Sequence, residues 1–187
     1  MSSFDGKEEL VVLVDEHDHE RGTMEKLAAH RTGELHRAFS VFIFNSEGAL
    51  LLQQRAAGKY HSGGLWTNTC CSHPRLNETV AAAAQRRLKE EMGMSVPLAS
   101  IFTFIYKADV GNGLIEHELD HVLFGHSDAL PCPSALEVQA WRYVDIDALD
   151  QELKASPDRF TVWLRDCWSQ VKASIPEQGS KLASSRR

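Results

Sequence analysis

The stretch Glu78–Gly93, ETVAAAAQRRLKEEMG, decides how this chain is read. Four successive alanines, Ala81–Ala84, have the highest helix propensity, and the Leu, Lys, Glu, Arg and Met that follow are close behind. Asn77 can cap the start and Gly93 can end it, so the spacing predicts a helix over 78–93. Its Glu78, Glu90 and Glu91 beside Arg86 and Arg87 would ordinarily form a solvated, salt-bridged face. Upstream, residues 56–77 contain Gly58, Gly63, Gly64 and Pro74 and read as loop. So long a loop in a compact domain is itself a hint of function.

On either side the pattern turns to strands. LVVLV (10–14) is a short, wholly apolar run, a buried strand. HDHERG (17–22) reads as a turn, and MEKLAAH (24–30) fits a short helix or extended chain equally. HRAFSVFIFN (36–45), the NSEG turn (45–48) and ALLLQQR (49–55) make a hairpin. Beyond the helix, 101–109 and 114–125 read as strands joined by the turn at Gly111–Gly113, with another strand at 141–144. Residues 146–155 and 160–173 read as helices, the second placing Phe160, Trp163, Leu164, Cys167 and Val171 on one face. The ends, 1–8 and 177–187, are expected to be loose. The pattern predicts an α+β fold in one domain over 1–187, a mixed β-sheet with flanking helices.

Composition narrows the function. With 43% hydrophobic and 25% charged residues, the 187-residue chain can bury a core without disulfides. The 20 Lys and Arg against 26 Asp and Glu leave a formal charge of −6, which speaks against nucleic-acid binding but leaves room for a local basic pocket for a small anion. Cys70, Cys71, Cys132 and Cys167 show no scaffold spacing and read as reduced thiols, and MSSFDGKEEL lacks the features of a leader peptide; both suggest the cytoplasm. No window approaches the roughly 18 apolar residues of a membrane span.

Three segments carry chemistry. In IEHELDHV (115–122), a strand would turn Glu116 and Glu118 to one face, roughly 6.5–7 Å apart. Two acids so placed are either solvated or held by a cation or proton, and His117 makes a poor core residue for the first case. In TNTCCSHP (67–74), Cys71 and His73 share a face if the chain is extended, as a metal pair, a reactive thiol or an inert small hydrophobe. His30 and His36 do not stack on one helix face, but a loop between them could bring both to one point. Together with His73 and the two glutamates they could form a cage suited to Zn²⁺ or Mn²⁺.

The helix also fits a known register. Ser72, five residues, Glu78, seven residues, then RRLKEEMG resembles the Nudix box, in which helix carboxylates hold a divalent metal against a diphosphate. Here Ser72 stands where the box has Gly, and Arg87 replaces a Glu, which weakens support for hydrolysis. Combined with AAHRTGELHRAFS, LLLQQRAAGKYHSGGLWTNTCCSHP, FIYKAD and IEHELDHVLFG, the chain from about Lys26 to Trp163 resembles the type I isopentenyl-diphosphate Δ-isomerases. The resemblance implies a Nudix-type α/β/α sandwich that interconverts isopentenyl and dimethylallyl diphosphate in isoprenoid biosynthesis.

By the same resemblance Cys71 and Glu118 are acid/base groups, with Glu118 protonating the alkene and Cys71 removing a proton, and Tyr106 and Trp163 join them at the reacting centre. His30, His36, His73, Glu116 and Glu118 hold one Mn²⁺ or Zn²⁺, and Glu91 holds Mg²⁺ against the diphosphate. Lys26, Arg55, Lys59 and Arg87 contact the phosphate oxygens. The expected partner is a small diphosphate, with neither nucleic acid nor membrane, and the chain a monomer. The alternative on the same fold is a Nudix hydrolase of nucleoside-diphosphate type.

Overall fold

A computed structural model describes residues 9–176, and the expectations for 1–8 and 177–187 lie outside the described residues. The chain runs β1 (Leu10–Val14), β2 (Glu20–Glu25), α1 (Lys26–Thr32), β3 (His36–Phe44), β4 (Leu50–Arg55), β5 (Trp66–Thr67), β6 (Cys70–Ser72) and α2 (Val80–Met92). It continues with β7 (Ala99–Asp109), β8 (Ile115–His126), β9 (Val138–Val144), α3 (Ile146–Ala155) and α4 (Val162–Ser174). Helices pack on both faces of a mixed sheet, the sheet with flanking helices that the pattern predicts and the α/β/α sandwich that the resemblance implies.

Strand β3 is the hub. It pairs in parallel with β8 from His36↔Glu118 to Phe44↔His126 and antiparallel with β6 at Phe39↔Ser72, Ser40↔Cys71 and Val41↔Cys70. It touches β1 and β4 only at its two ends. The expected β3–β4 hairpin is therefore made at its turn, Phe44↔Leu50, after which the strands part and β4 pairs with β9 and β5. A strand covered on both faces reads as a continuous apolar run, and Ala38–Phe44 is buried throughout.

Alternation along β3 divides the core. Phe39, Val41 and Ile43 pack with Ala83, Ala84, Leu88 and Met92 of α2, while Phe42 and Phe44 pack with Leu149, Leu164, Cys167 and Val171 of α3 and α4. Burying each large side chain contributes about 1.5–3 kcal/mol. By the same alternation, His36 heads the set that faces α4.

Several local expectations are corrected. The segment expected to be a turn, 17–22, gives way at Glu20 to β2, whose polar side chains are largely exposed in a hairpin with β1. Residues 24–30 are both things at once, the end of β2 and the start of α1. The long loop contains β5 and β6, too short to show a period. Thr79, not Asn77, caps α2, its Oγ1 accepting from the Ala82 N–H at 3.2 Å. Gly93 ends α2 as expected, in the left-handed conformation at φ 67°.

Candidate active site

The strand registers assemble the site. Tyr106 of β7 lies opposite Glu118 of β8, which lies opposite His36 of β3. This places a phenol, a carboxylate and an imidazole in one row across three strands. Cys71 lies opposite Ser40 on the other side of β3. Cys70 consequently turns the other way, into the core beneath α2. His73 follows Cys71 by two residues, and α1 delivers His30 from beyond the end of the sheet.

Tyr106, Glu118, Cys71 and His73 line a cleft of about 470 Å³, its mouth included, together with Lys26, Arg55, Lys59, Arg87, Glu91, Glu116 and Trp163. His30 and His36 lie buried at its floor. All the residues singled out from the sequence are thus in or beneath one pocket. The sequence reading missed Tyr60 and His61, which also line it, and Asn68, Gln53 and Asp120, buried around it. Asp120 had a signal: Glu116, Glu118 and Asp120 continue a single alternation. Tyr60 and His61 had none, because they lie in irregular chain.

Five groups converge on the floor. His30, His36, His73 and Glu118 each turn one ligand atom to within 4.8 Å of the others. Glu116 joins through His30, its Oε2 lying 3.2 Å from His30 Nε2, in an overlapping trio with His61. The five residues expected to share a cation therefore meet, as two overlapping groups rather than one ring.

The donor set fits a divalent ion. His30 Nδ1 lies 2.6 Å from the Lys26 carbonyl oxygen and His36 Nδ1 lies 2.8 Å from that of Glu34. Anchored through Nδ1 at these carbonyls, both rings point their Nε2 atoms at the cluster. His36 Nε2 and Glu116 Oε2 are buried without hydrogen-bond partners. Burial holds His73 neutral, its pKa lowered to about 4. Burial alone would raise the Glu118 carboxyl, but His36 and His73 outweigh it and hold the group well below the ordinary range. Glu116 is likewise lowered, by His30 and His61 against the opposing effects of burial and Glu118.

Beside the cluster, the Tyr106 hydroxyl donates to Glu118 Oε2 at 2.6 Å, and burial keeps this phenol protonated. Burial also pushes the Cys71 thiol up to about 12, against the opposing pull of Arg55, whose Nη1 lies 3.9 Å from the sulfur. Asp120 is buried behind them, accepting from the Ser40 hydroxyl at 2.7 Å, and burial followed by the Glu118 charge raises its pKa well above normal. Trp163 is oriented by donation from Nε1 to Asn68 Oδ1 at 3.2 Å, and the Arg55 guanidinium lies 5.3 Å from its ring centroid. Trp163 therefore packs in the core and lines the cleft at once.

The cationic mouth is built differently. Arg87 Nη2 donates to Glu91 Oε1 at 2.6 Å and to Glu137 Oε1 at 3.2 Å, while Lys59 pairs with Glu137. Gln53 Nε2 donates to the other Glu91 oxygen at 2.9 Å. Lys26 pairs with Glu9 at 3.1 Å. Glu91 offers one buried carboxylate and, among the described residues, belongs to no cluster of three candidate ligands. A lone carboxylate holds a divalent cation only where the other oxygen ligands come from elsewhere. The expected salt-bridged face of α2 survives in part: Arg86 pairs with Glu78 and Glu90, and Arg87 also donates to Glu90 at 2.8 Å.

The NUDIX domain family model matches residues 34–164. Isopentenyl-diphosphate Delta-isomerase 2 of Aromatoleum aromaticum is 49% identical over 96% of this chain and 95% of its own length. The Pectobacterium atrosepticum isopentenyl-diphosphate Delta-isomerase is 52% identical over 86% of this chain and 90% of its own. The chain belongs to the isopentenyl-diphosphate Δ-isomerase family. This isomerase-family chain also shares its fold with DR0079 of Deinococcus radiodurans, with a TM-score of 0.74 over 87% of this chain and 98% of that one at 19% identity. Among the described residues no helix is long and apolar enough to cross a membrane.

Proposed function

We propose that this chain interconverts isopentenyl diphosphate and dimethylallyl diphosphate. The observation that carries the reading is the placement of Cys71 on β6 and Glu118 on β8, with β3 between them, both lining one pocket. The reaction adds a proton to the terminal alkene carbon and removes one from the carbon two positions away. Positive charge develops on the tertiary carbon between these events. It needs two proton-transfer groups on opposite sides of a flat substrate, in a place that excludes water.

Glu118 with the Tyr106 hydroxyl is one such group and Cys71 the other. Whichever adds the proton in one direction removes it in the reverse. Trp163 sets its ring beside the developing cation, where a desolvated cation–π contact contributes about 2 kcal/mol. Lys26, Arg55, Lys59 and Arg87 hold the diphosphate by charge-assisted hydrogen bonds. That remote attachment fixes the alkene between the two groups.

His30, His36, His73, Glu116 and Glu118 would hold Mn²⁺ or Zn²⁺, and Glu91 would hold Mg²⁺ with the diphosphate. Bound there, the two ions would supply electrostatic stabilisation, orienting Glu118 and neutralising phosphate charge. Arg87 occupies the Glu91 carboxylate, where a hydrolytic Nudix helix would add a further acid, and this supports isomerisation over hydrolysis. Four free thiols support a reducing cytoplasm and the acidic balance a small-molecule rather than a nucleic-acid partner, while the family resemblance supports a monomer.

The test is incubation of the purified protein with isopentenyl diphosphate, Mg²⁺ and Mn²⁺. Dimethylallyl diphosphate is expected, and in D₂O its new methyl group carries deuterium. Free phosphate without the isomer would replace this reading with hydrolysis.

A further inference from the structure

The segment between β4 and β5 forms one wall of the cleft. It carries Lys59, Tyr60 and His61 in succession and folds back tightly. A Cβ on Gly63 would lie 2.6 Å from the Ala57 carbonyl oxygen, so only glycine allows this return. His61 is 5% exposed although it lies in irregular chain. Its Nε2 sits 2.8 Å from Glu116 Oε1, and its Nδ1 lies 3.1 Å from Ser62 Oγ.

The Glu116 carboxylate can only accept, so His61 Nε2 donates to it, while Nδ1 lies within hydrogen-bond reach of the Ser62 hydroxyl. Glu116 then has one oxygen committed to His61 and the other, Oε2, free beside His30. The same loop is tied down twice more, by Arg55 Nη2 donating to the His61 carbonyl at 3.3 Å and by the Tyr60 hydroxyl lying 3.4 Å from His30 Nε2.

We infer that His61 is a positioning residue, a latch that fixes the Glu116 carboxylate for the cation and couples the metal centre to the loop bearing Lys59. The inference rests on the reading of the His/Glu cluster as a cation site. Two consequences are separable. Groups that hydrogen-bond a metal ligand typically raise metal affinity by about 10–100-fold. Binding at either site should also tighten the other, because both order the same loop, and such linkage is reciprocal.

The experiment is calorimetric titration of metal-free protein with Mn²⁺ alone, then with inorganic diphosphate and Mg²⁺ in the presence and absence of Mn²⁺. His61→Leu should weaken Mn²⁺ binding by about tenfold or more and abolish the enhancement of diphosphate binding by Mn²⁺. His61→Gln, whose amide can donate where Nε2 does, should restore most of both. Melting of the metal-free variants controls for folding. Equal Mn²⁺ affinity in wild type and His61→Leu would overturn the latch, as would His61→Gln failing alongside a normally folded His61→Leu. If wild type binds no Mn²⁺, the cation-site reading itself falls and takes the latch with it.

Discussion

At the scale of the residue, adjacent Cys70 and Cys71 make a controlled comparison. Their side chains leave β6 on opposite faces, one into the α2 core and the other onto the cleft. Cys71→Ala should cut turnover by about 10²–10⁴-fold, the usual worth of a positioned proton-transfer group. Cys70→Ala should keep turnover near wild type and lower the melting temperature, because it leaves a small void in a packed core. Steady-state assays beside thermal melts check both, and equal loss of turnover in the two variants would refute the assignment. Glu118→Gln should match the Cys71 loss, since the amide can be held by Tyr106 but cannot exchange a proton with carbon. The pairs Cys71/His73 and Glu116/Glu118 are legible in the sequence because extended chain obliges residues two apart to share a face. His61 and Tyr60 are not, because irregular chain has no period to read.

At the scale of the element, two joints can be tested separately. Helix α2 ends at Gly93 in the left-handed conformation, and a Cβ there would lie 2.5 Å from the Cys132 carbonyl oxygen. Gly93→Ala therefore combines backbone strain with a clash against main chain and should cost about 1–3 kcal/mol. A lower denaturant midpoint at unchanged slope would register it. Helices α3 and α4 are joined at Asp150, which accepts from Lys154, Lys172 and Trp168 at 2.6, 2.5 and 3.1 Å. Lys154 and then Lys172 hold its carboxyl below the ordinary aspartate range. A carboxyl lowered on folding contributes stability above its unfolded pKa of about 4 and loses it as the pH falls towards the folded value. Asp150→Asn should thus flatten the acid limb of the stability curve below about pH 4, measured by denaturation at stepped pH. A curve parallel to wild type would deny the joint its role. The strands β1, β3, β4, β7 and β8 can be read from alternation and apolar runs. Strand β2 cannot, because ERGTME has too little apolar surface to declare itself.

At the scale of the molecule, the site exists because a parallel pairing joins β3 to β8 across some 80 residues of sequence, setting His36 against Glu118. No local pattern announces that register, so the sequence could name the ligands through family resemblance but not say how they meet. The same long-range closure makes the cluster a point where binding and folding are linked. Buried carboxylates repel one another, and Glu116 and Glu118 are both buried. A cation that binds only the folded arrangement relieves that repulsion and stabilises by RT ln(1 + [L]/Kd), about 2.7 kcal/mol at a hundredfold excess over Kd. For a chain of this length each kcal/mol moves the melting temperature by about 2–4 °C. Saturating metal-free protein with Mn²⁺ should therefore raise its melting temperature by about 5–11 °C, and EDTA should reverse the gain. His36→Ala, which removes the imidazole whose Nε2 has no other partner, should abolish most of the shift while the metal-free melt remains cooperative. A melting temperature indifferent to both Mn²⁺ and EDTA would mean that the convergence of imidazoles and carboxylates serves packing alone.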